Sequence, residues 1–314
     1  MAQLNLVTEW DKTFKKSEKV DHSKVTFDTK FGFTLAADVY KPKDAEGKLS
    51  AIIVCGPYGA VKEQSSGLYA QTLAEKGFLT MAFDPSYTGE SSGLPRNTTS
   101  PDINTEDYSA AVDYMISRDD VDDDKIGILG ICGWGGIALS AAAKDPRIKV
   151  IVGATAANLS DFPLENRKMA LAAAAASRTG EVKGQEAMTA YSVPEVIDEN
   201  TPQPVKDFYN YYRNPERGYH KRSINSGIAT DVAASTSYFH FSMFTYIDQI
   251  ENPVLLVHGD QAYTYPEAKG LFDRMKGDNK KFYTVTGASH TDLYDQVDKI
   301  PFDEIEKFYR EYFV

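Results

Sequence analysis

Residues 126–144 read IGILGICGWGGIALSAAAK. Ile126–Ile131 is a short, nearly continuous apolar run, the pattern of a strand buried on both faces. Gly136–Lys144 is Ala-rich and reads as a helix. Between them, glycines at 130, 133, 135 and 136 let two backbones approach closely enough for a sharp strand-to-helix turn. Such a turn lifts one side chain above the sheet edge, and here that residue is Cys132. The helix N-terminus that follows adds partial positive charge, which favours a thiolate.

Outward from this stretch, Ala51–Cys55 (AIIVC), Phe78–Phe83 (FLTMAF) and Val150–Val152 are further short apolar runs, separated by helix-like Ser66–Lys76 and Thr105–Arg118. Alternation of this kind predicts a mostly parallel sheet with right-handed crossovers and helices on its faces. Val25–Thr29 and Phe33–Tyr40 alternate apolar and polar residues, as in an antiparallel pair. The rhythm stops after Ala154. Residues 158–251 are rich in Ala, Tyr and Phe, with Pro194, Pro202, Pro204 and Pro215 as breakers. They hold helix-like Leu164–Ser177 and Val205–Tyr212 and are expected to form a helical cap inserted into a single domain over 1–314. Pro253–Val257 resumes the strand pattern, followed by a helix over Pro266–Met275, a strand over Lys281–Val285 and an amphipathic helix from Pro301.

Composition narrows the function classes. The 314 residues carry 34 Lys+Arg against 45 Asp+Glu, a net charge of −11, which argues against a nucleic-acid or anionic-membrane surface. The two cysteines, Cys55 and Cys132, are too few for a disulfide framework. The first residues lack the apolar region of a signal peptide, and the small-apolar run Met169–Ala176 is too short to cross a bilayer, so a soluble, cytoplasmic protein is expected. The scattered histidines and the 119–124 run DDVDDD lack metal-ligand spacing, so neither metal nor cofactor is expected, and that run reads as a solvated turn.

Ligand sites in open α/β sheets form at the C-terminal strand ends. His290, in a Gly-Ala-Ser-His turn, is the candidate base for Cys132. The orienting acid should follow the Pro253–Val257 strand, where Asp260 stands; Asp161 and Asp292 are alternatives. The Gly133 backbone N–H is one candidate oxyanion donor, and Tyr58, through its N–H or its hydroxyl, is the second.

The segments 59–78 (GAVKEQSSGLYAQTLAEKGF), 83–96 (FDPSYTGESSGLPR), 126–136 and 287–295 (GASHTDLYD) together resemble the α/β-hydrolase superfamily, in the order nucleophile, acid, histidine. More closely they resemble a bacterial and fungal group related to dienelactone hydrolases, whose members carry Cys or Ser at this turn. The Gly-x-nucleophile-x-x-Gly spacing is also similar to that of X-prolyl peptidases and cocaine esterase, a group that takes an oxyanion donor from a Tyr following Pro, which points to Tyr58. Two departures stand out: Trp134 occupies the usual glycine position after the nucleophile, and Ala262 occupies the usual acid position.

The resemblance implies a hydrolase of esters, lactones or thioesters using Cys132, His290 and Asp260, with an acyl-enzyme intermediate. An acyltransferase with the same triad, or an inactive hydrolase fold used for binding, fits the same residues. Gly133–Ala138 also matches a dinucleotide fingerprint, but no carboxylate ends the next strand to hold a ribose. The many aromatics of 158–251 suggest a small-molecule substrate with an apolar acyl or aromatic part.

Overall fold

The computed structural model describes residues 3–160, 163–234 and 236–314. The alternating N-terminal pair forms β1 (Val20–Asp28) and β2 (Thr34–Pro42), antiparallel with Val25 opposite Ala37. The apolar runs then give β3 (Leu49–Cys55), β4 (Leu79–Phe83), β5 (Val121–Ile131) and β6 (Val150–Ala154), connected by α1 (Ser65–Glu75), α2 (Pro101–Ile116) and α3 (Gly133–Lys144). Between β6 and the next long strand come α4 (Leu164–Val182), α5 (Gln203–Tyr212) and the two-residue ladder of β7 (Thr189–Ala190) with β8 (Thr230–Asp231). The chain closes with β9 (Val254–Gly259), α6 (Tyr265–Arg274), β10 (Lys280–Val285), α7 (Asp292–Asp295) and α8 (Phe302–Tyr312).

The long strands form one eight-stranded sheet in the order β1-β2-β4-β3-β5-β6-β9-β10, parallel from β4 onward. This is the mostly parallel, helix-flanked sheet of an α/β hydrolase. Tyr108, Ile137 and Leu271 pack on one face, and Tyr69, Leu73, Ile305 and Phe308 on the other. Both faces are covered, so the central strands are apolar throughout. On α8, buried Phe302, Ile305, Phe308 and Tyr309 fall on one helical face, and the Tyr309 hydroxyl donates to Ile128 O at 2.8 Å.

One boundary differs from expectation. The acidic 119–124 run is not simply a turn, because β5 already begins at Val121. Leu49 pairs with Val121 but Ala51 with Ile126, so the ladder is interrupted, and Asp123 and Asp124 are exposed without leaving the strand. Among the described residues, no helix is long and apolar enough to cross a membrane.

The loops at the C-terminal edge are held by charge. Lys62, in the loop after β3, is fully enclosed and donates to Glu63 Oε1 (2.6 Å), Asp84 Oδ2 (2.9 Å) and Glu90 Oε2 (2.6 Å). Its ammonium stands where a cation bridging those carboxylates would stand. The segment between β6 and β9 reaches the same loop: Arg222 pairs with Glu63 at 2.9 Å, Ser223 Oγ donates to Gly59 O at 2.8 Å, and Asn225 Nδ2 donates to Tyr58 O at 2.6 Å.

Removing one partner of a buried ion cluster strands the others in a low-dielectric interior. Lys62→Met should therefore cost about 3–5 kcal/mol, read as a lowered urea-unfolding midpoint. A variant as stable as the parent would show that the cluster holds nothing in place.

Candidate active site

Cys132 sits between β5 and α3 with φ 59° and ψ −129°, a left-handed conformation that costs a non-glycine residue. Its surroundings hold it there. The Cys132 N–H donates to Ala154 O (2.9 Å), while its carbonyl accepts from the N–H groups of Gly135 (2.8 Å) and Ala157 (3.0 Å). A Cβ at position 130 would lie 2.1 Å from the Trp134 carbonyl oxygen, so only glycine closes this turn. Trp134 is fully buried with its ring against Phe83 and Tyr108, at 5.9 and 5.7 Å between centroids. The departure at position 134 therefore fills the core behind the turn. The dinucleotide reading finds no room: Leu159, Ala156 and Met243 already stand within 2.4–2.7 Å of where Cβ atoms on Gly133, Gly135 and Gly136 would be.

Burial pushes the Cys132 thiol above its ordinary pKa; the Tyr294 hydroxyl and the backbone N–H groups of Gly133 and Tyr58 oppose that, and the Glu267 carboxylate adds to it. The sulfur thus lies beside both N–H groups expected to hold an oxyanion. For Tyr58 it is the backbone that faces the thiol, while the ring packs edge-on against Tyr238 at 6.0 Å. Cys55 is a different case. It is enclosed in the core at the end of β3 and donates to Phe83 O at 3.4 Å.

His290 is 2% exposed and ringed by Tyr263, Phe208 and Tyr294, at 5.4, 5.6 and 5.6 Å. Burial, reinforced by nearby His258, pushes its pKa down to about 3, so the ring is neutral at pH 7. Its Nε2 is buried with no hydrogen-bond partner among the described residues. Tyr294 lies beside both this ring and Cys132, so one aromatic side chain borders the thiol and the imidazole alike.

Asp260 is not the partner of His290. Its Oδ1 accepts from the Gly287 N–H (2.8 Å) and from Gln261 Nε2 (3.1 Å), tying the end of β9 to the turn after β10. Asp292 is likewise occupied, by the Ser289 N–H, Gln296 and Lys299. Asp161 lies outside the described residues. The group opposite His290 Nδ1 is the hydroxyl of buried Thr264, at 2.8 Å, and the same oxygen lies 3.1 Å from His258 Nε2. Side-chain direction decides this: Asp260 turns toward the β10 loop, whereas Thr264, two residues past Ala262 and just before α6, turns inward. A hydroxyl just beyond the vacant acid position is the only sequence sign of it. Tyr294, in the helix turn that follows His290, was likewise not singled out by sequence reasoning.

Residues 32–291 match the X-Pro dipeptidyl-peptidase (S15) family. The chain is 46% identical to the uncharacterised protein PA2218 of Pseudomonas aeruginosa over 99% of this chain and 86% of that one. The crystal structure of PA2218 superposes with a TM-score of 0.93 over 99% of this chain and 100% of the other. Aspergillus calidoustus acyltransferase drtE is 27% identical over 88% of this chain and 89% of that protein. Thiohydrolase aneE of Aspergillus aculeatus is 31% identical over 44% of this chain and 42% of its own.

The raised thiol and lowered imidazole together make an uncharged pair at rest. The thiolate absorbance near 240 nm, taken as wild type minus Cys132→Ala, should be absent at pH 7 and emerge only above about pH 9. An absorbance already present at neutral pH would mean a resting thiolate–imidazolium pair instead.

Proposed function

The chain belongs to the X-Pro dipeptidyl-peptidase (S15) family, and from that premise we propose that it is a cysteine-dependent α/β hydrolase of ester, lactone or thioester bonds. One observation carries the reading: Cys132 is held in a strained strand-to-helix turn with two backbone N–H groups, of Gly133 and Tyr58, beside its sulfur.

Cys132 Sγ attacks the substrate carbonyl while His290 Nε2 takes the thiol proton. The carbonyl oxygen becomes an oxyanion bound by the Gly133 and Tyr58 N–H groups. Collapse breaks the bond to the leaving alkoxide or thiolate, which receives the proton from Nε2, leaving an acyl-cysteine. Water then attacks this acyl group, giving its proton to Nε2. The second collapse releases the carboxylic acid and returns the proton to sulfur. Attack by an alcohol or amine in place of water makes the same cycle an acyl transfer. The name of the relative drtE supports that variant and the name of aneE supports thioester hydrolysis.

The aromatic enclosure of Phe208, Tyr263 and Tyr294 suits an apolar acyl or aromatic substrate part, with residues 158–251 acting as its lid. Two unpaired cysteines fit a reducing compartment such as the cytoplasm.

Wild type and Cys132→Ala, both checked for folding, should be compared on p-nitrophenyl butyrate and a butyryl thioester. Turnover and a butyryl mass adduct are expected in the wild type only. Equal turnover by Cys132→Ala would remove Cys132 as nucleophile, and a clear preference for Gly-Pro p-nitroanilide would move the reading to peptide cleavage. The depressed His290 pKa also sets the sign of the acid limb. A base already deprotonated well below pH 6 keeps kcat/KM level from about pH 5 to 8, with no fall through the ordinary imidazole range.

A further inference from the structure

Three buried groups run in line behind the candidate base. His258 Nδ1 lies 3.3 Å from the Gly259 carbonyl, His258 Nε2 lies 3.1 Å from Thr264 Oγ1, and that oxygen lies 2.8 Å from His290 Nδ1. His258, Thr264 and His290 are 0%, 4% and 2% exposed, so no bulk water offers alternative partners.

Only one assignment of protons satisfies every link. A carbonyl oxygen only accepts, so His258 Nδ1 must carry hydrogen. A neutral His258 then has a bare Nε2, which accepts the Thr264 hydroxyl proton. Thr264 has a single proton, so toward His290 it can only accept, and His290 Nδ1 must donate. His290 is left with hydrogen on Nδ1 and a free lone pair on Nε2. The reverse assignment would set the bare Nδ1 of His258 against the Gly259 carbonyl, lone pair to lone pair.

The geometry points to Thr264 and His258 as positioning residues that hold His290 in the tautomer able to take a proton at Nε2, a task given elsewhere to a carboxylate. The chain ends on a backbone carbonyl and brings no negative charge. It selects a tautomer without stabilising an imidazolium, which accords with the neutral resting pair. The inference rests on His290 being the base proposed above, so its test must be able to fail separately.

The test uses the full chain labelled with 15N-histidine. Long-range 1H–15N correlations at pH 7 read the tautomer directly, without turnover. In the wild type His290 should show a protonated Nδ1 and a pyridine-type Nε2. Thr264→Val, which keeps the shape and removes the hydroxyl, should mix the tautomers and lower kcat about tenfold to a hundredfold with little change in KM. Thr264→Ser should recover both the tautomer and kcat. His258→Leu frees the Thr264 proton to turn toward His290, so its Nε2 should become protonated. A wild-type His290 protonated at Nε2 would overturn the inference, as would a Thr264→Val protein with unchanged tautomer and kcat. If Cys132→Ala still turns over substrate while the tautomers respond as expected, the relay stands and the nucleophile assignment fails.

Discussion

The structure at the C-terminal edge of the sheet depends on one ammonium group kept away from water. Lys62 meets three carboxylates, and Lys24 and Arg222 close the set at Glu90 and Glu63, with Lys24 at 2.5 Å and Arg222 at 2.9 Å. Burial alone would raise the Glu63 carboxyl, but Lys62 and Arg222 hold it well below its ordinary range. Lys62, Lys24 and Arg222 thus share the three buried acids, and Arg222 also pairs with Asp11 at 2.9 Å, so no carboxylate of the cluster is left facing a dry interior without a cation. The residues come from β1, the loops after β3 and β4, and the segment before β9. The cluster therefore ties together pieces of chain that share no secondary structure, including the loop that carries the Tyr58 N–H to the thiol.

The candidate site itself is built on the opposite electrostatic choice. Among the described residues no charge is paired at its centre: the thiol is pushed up by burial, the imidazole is pushed down, and the group at Nδ1 is a hydroxyl. In the proposed cycle charge would develop only during the reaction, when the Gly133 and Tyr58 N–H groups would meet an oxyanion. Preorganised dipoles of that kind are worth most where water is absent. A carboxylate at Thr264 would instead favour the ion pair at rest. Ala262 and Asp260, which look like a damaged triad when read along the chain, are then parts of a site organised another way.

The aromatic residues between β6 and β9 divide between two tasks. Tyr211, Tyr212, Tyr238 and Phe244 are buried and join the cores on either face of the sheet, whereas Tyr191, Tyr219 and Tyr246 remain exposed. Phe208, from α5, lies against the His290 ring. Most of the aromatic content of that segment is thus packing, and a small part encloses the reactive groups.

The elements were legible in the sequence because they are local. AIIVC, FLTMAF and IGILGI become buried strands, and the spacing of Phe302, Ile305 and Phe308 sets the buried face of α8. The turn at Cys132 was legible for the same reason: its glycines, its thiol and its helix are contiguous. What the sequence could not decide was direction across space. Asp260 and Thr264 are four positions apart at the same strand end, and either could have met His290. The choice fell to Thr264 because the Gly287 N–H, brought alongside by the pairing of β9 with β10, draws Asp260 outward. The Lys62 cluster was beyond reach in the same way. Its members, from Lys24 to Arg222, are scattered along the chain, and only the crossover order of the sheet brings them within hydrogen-bond distance.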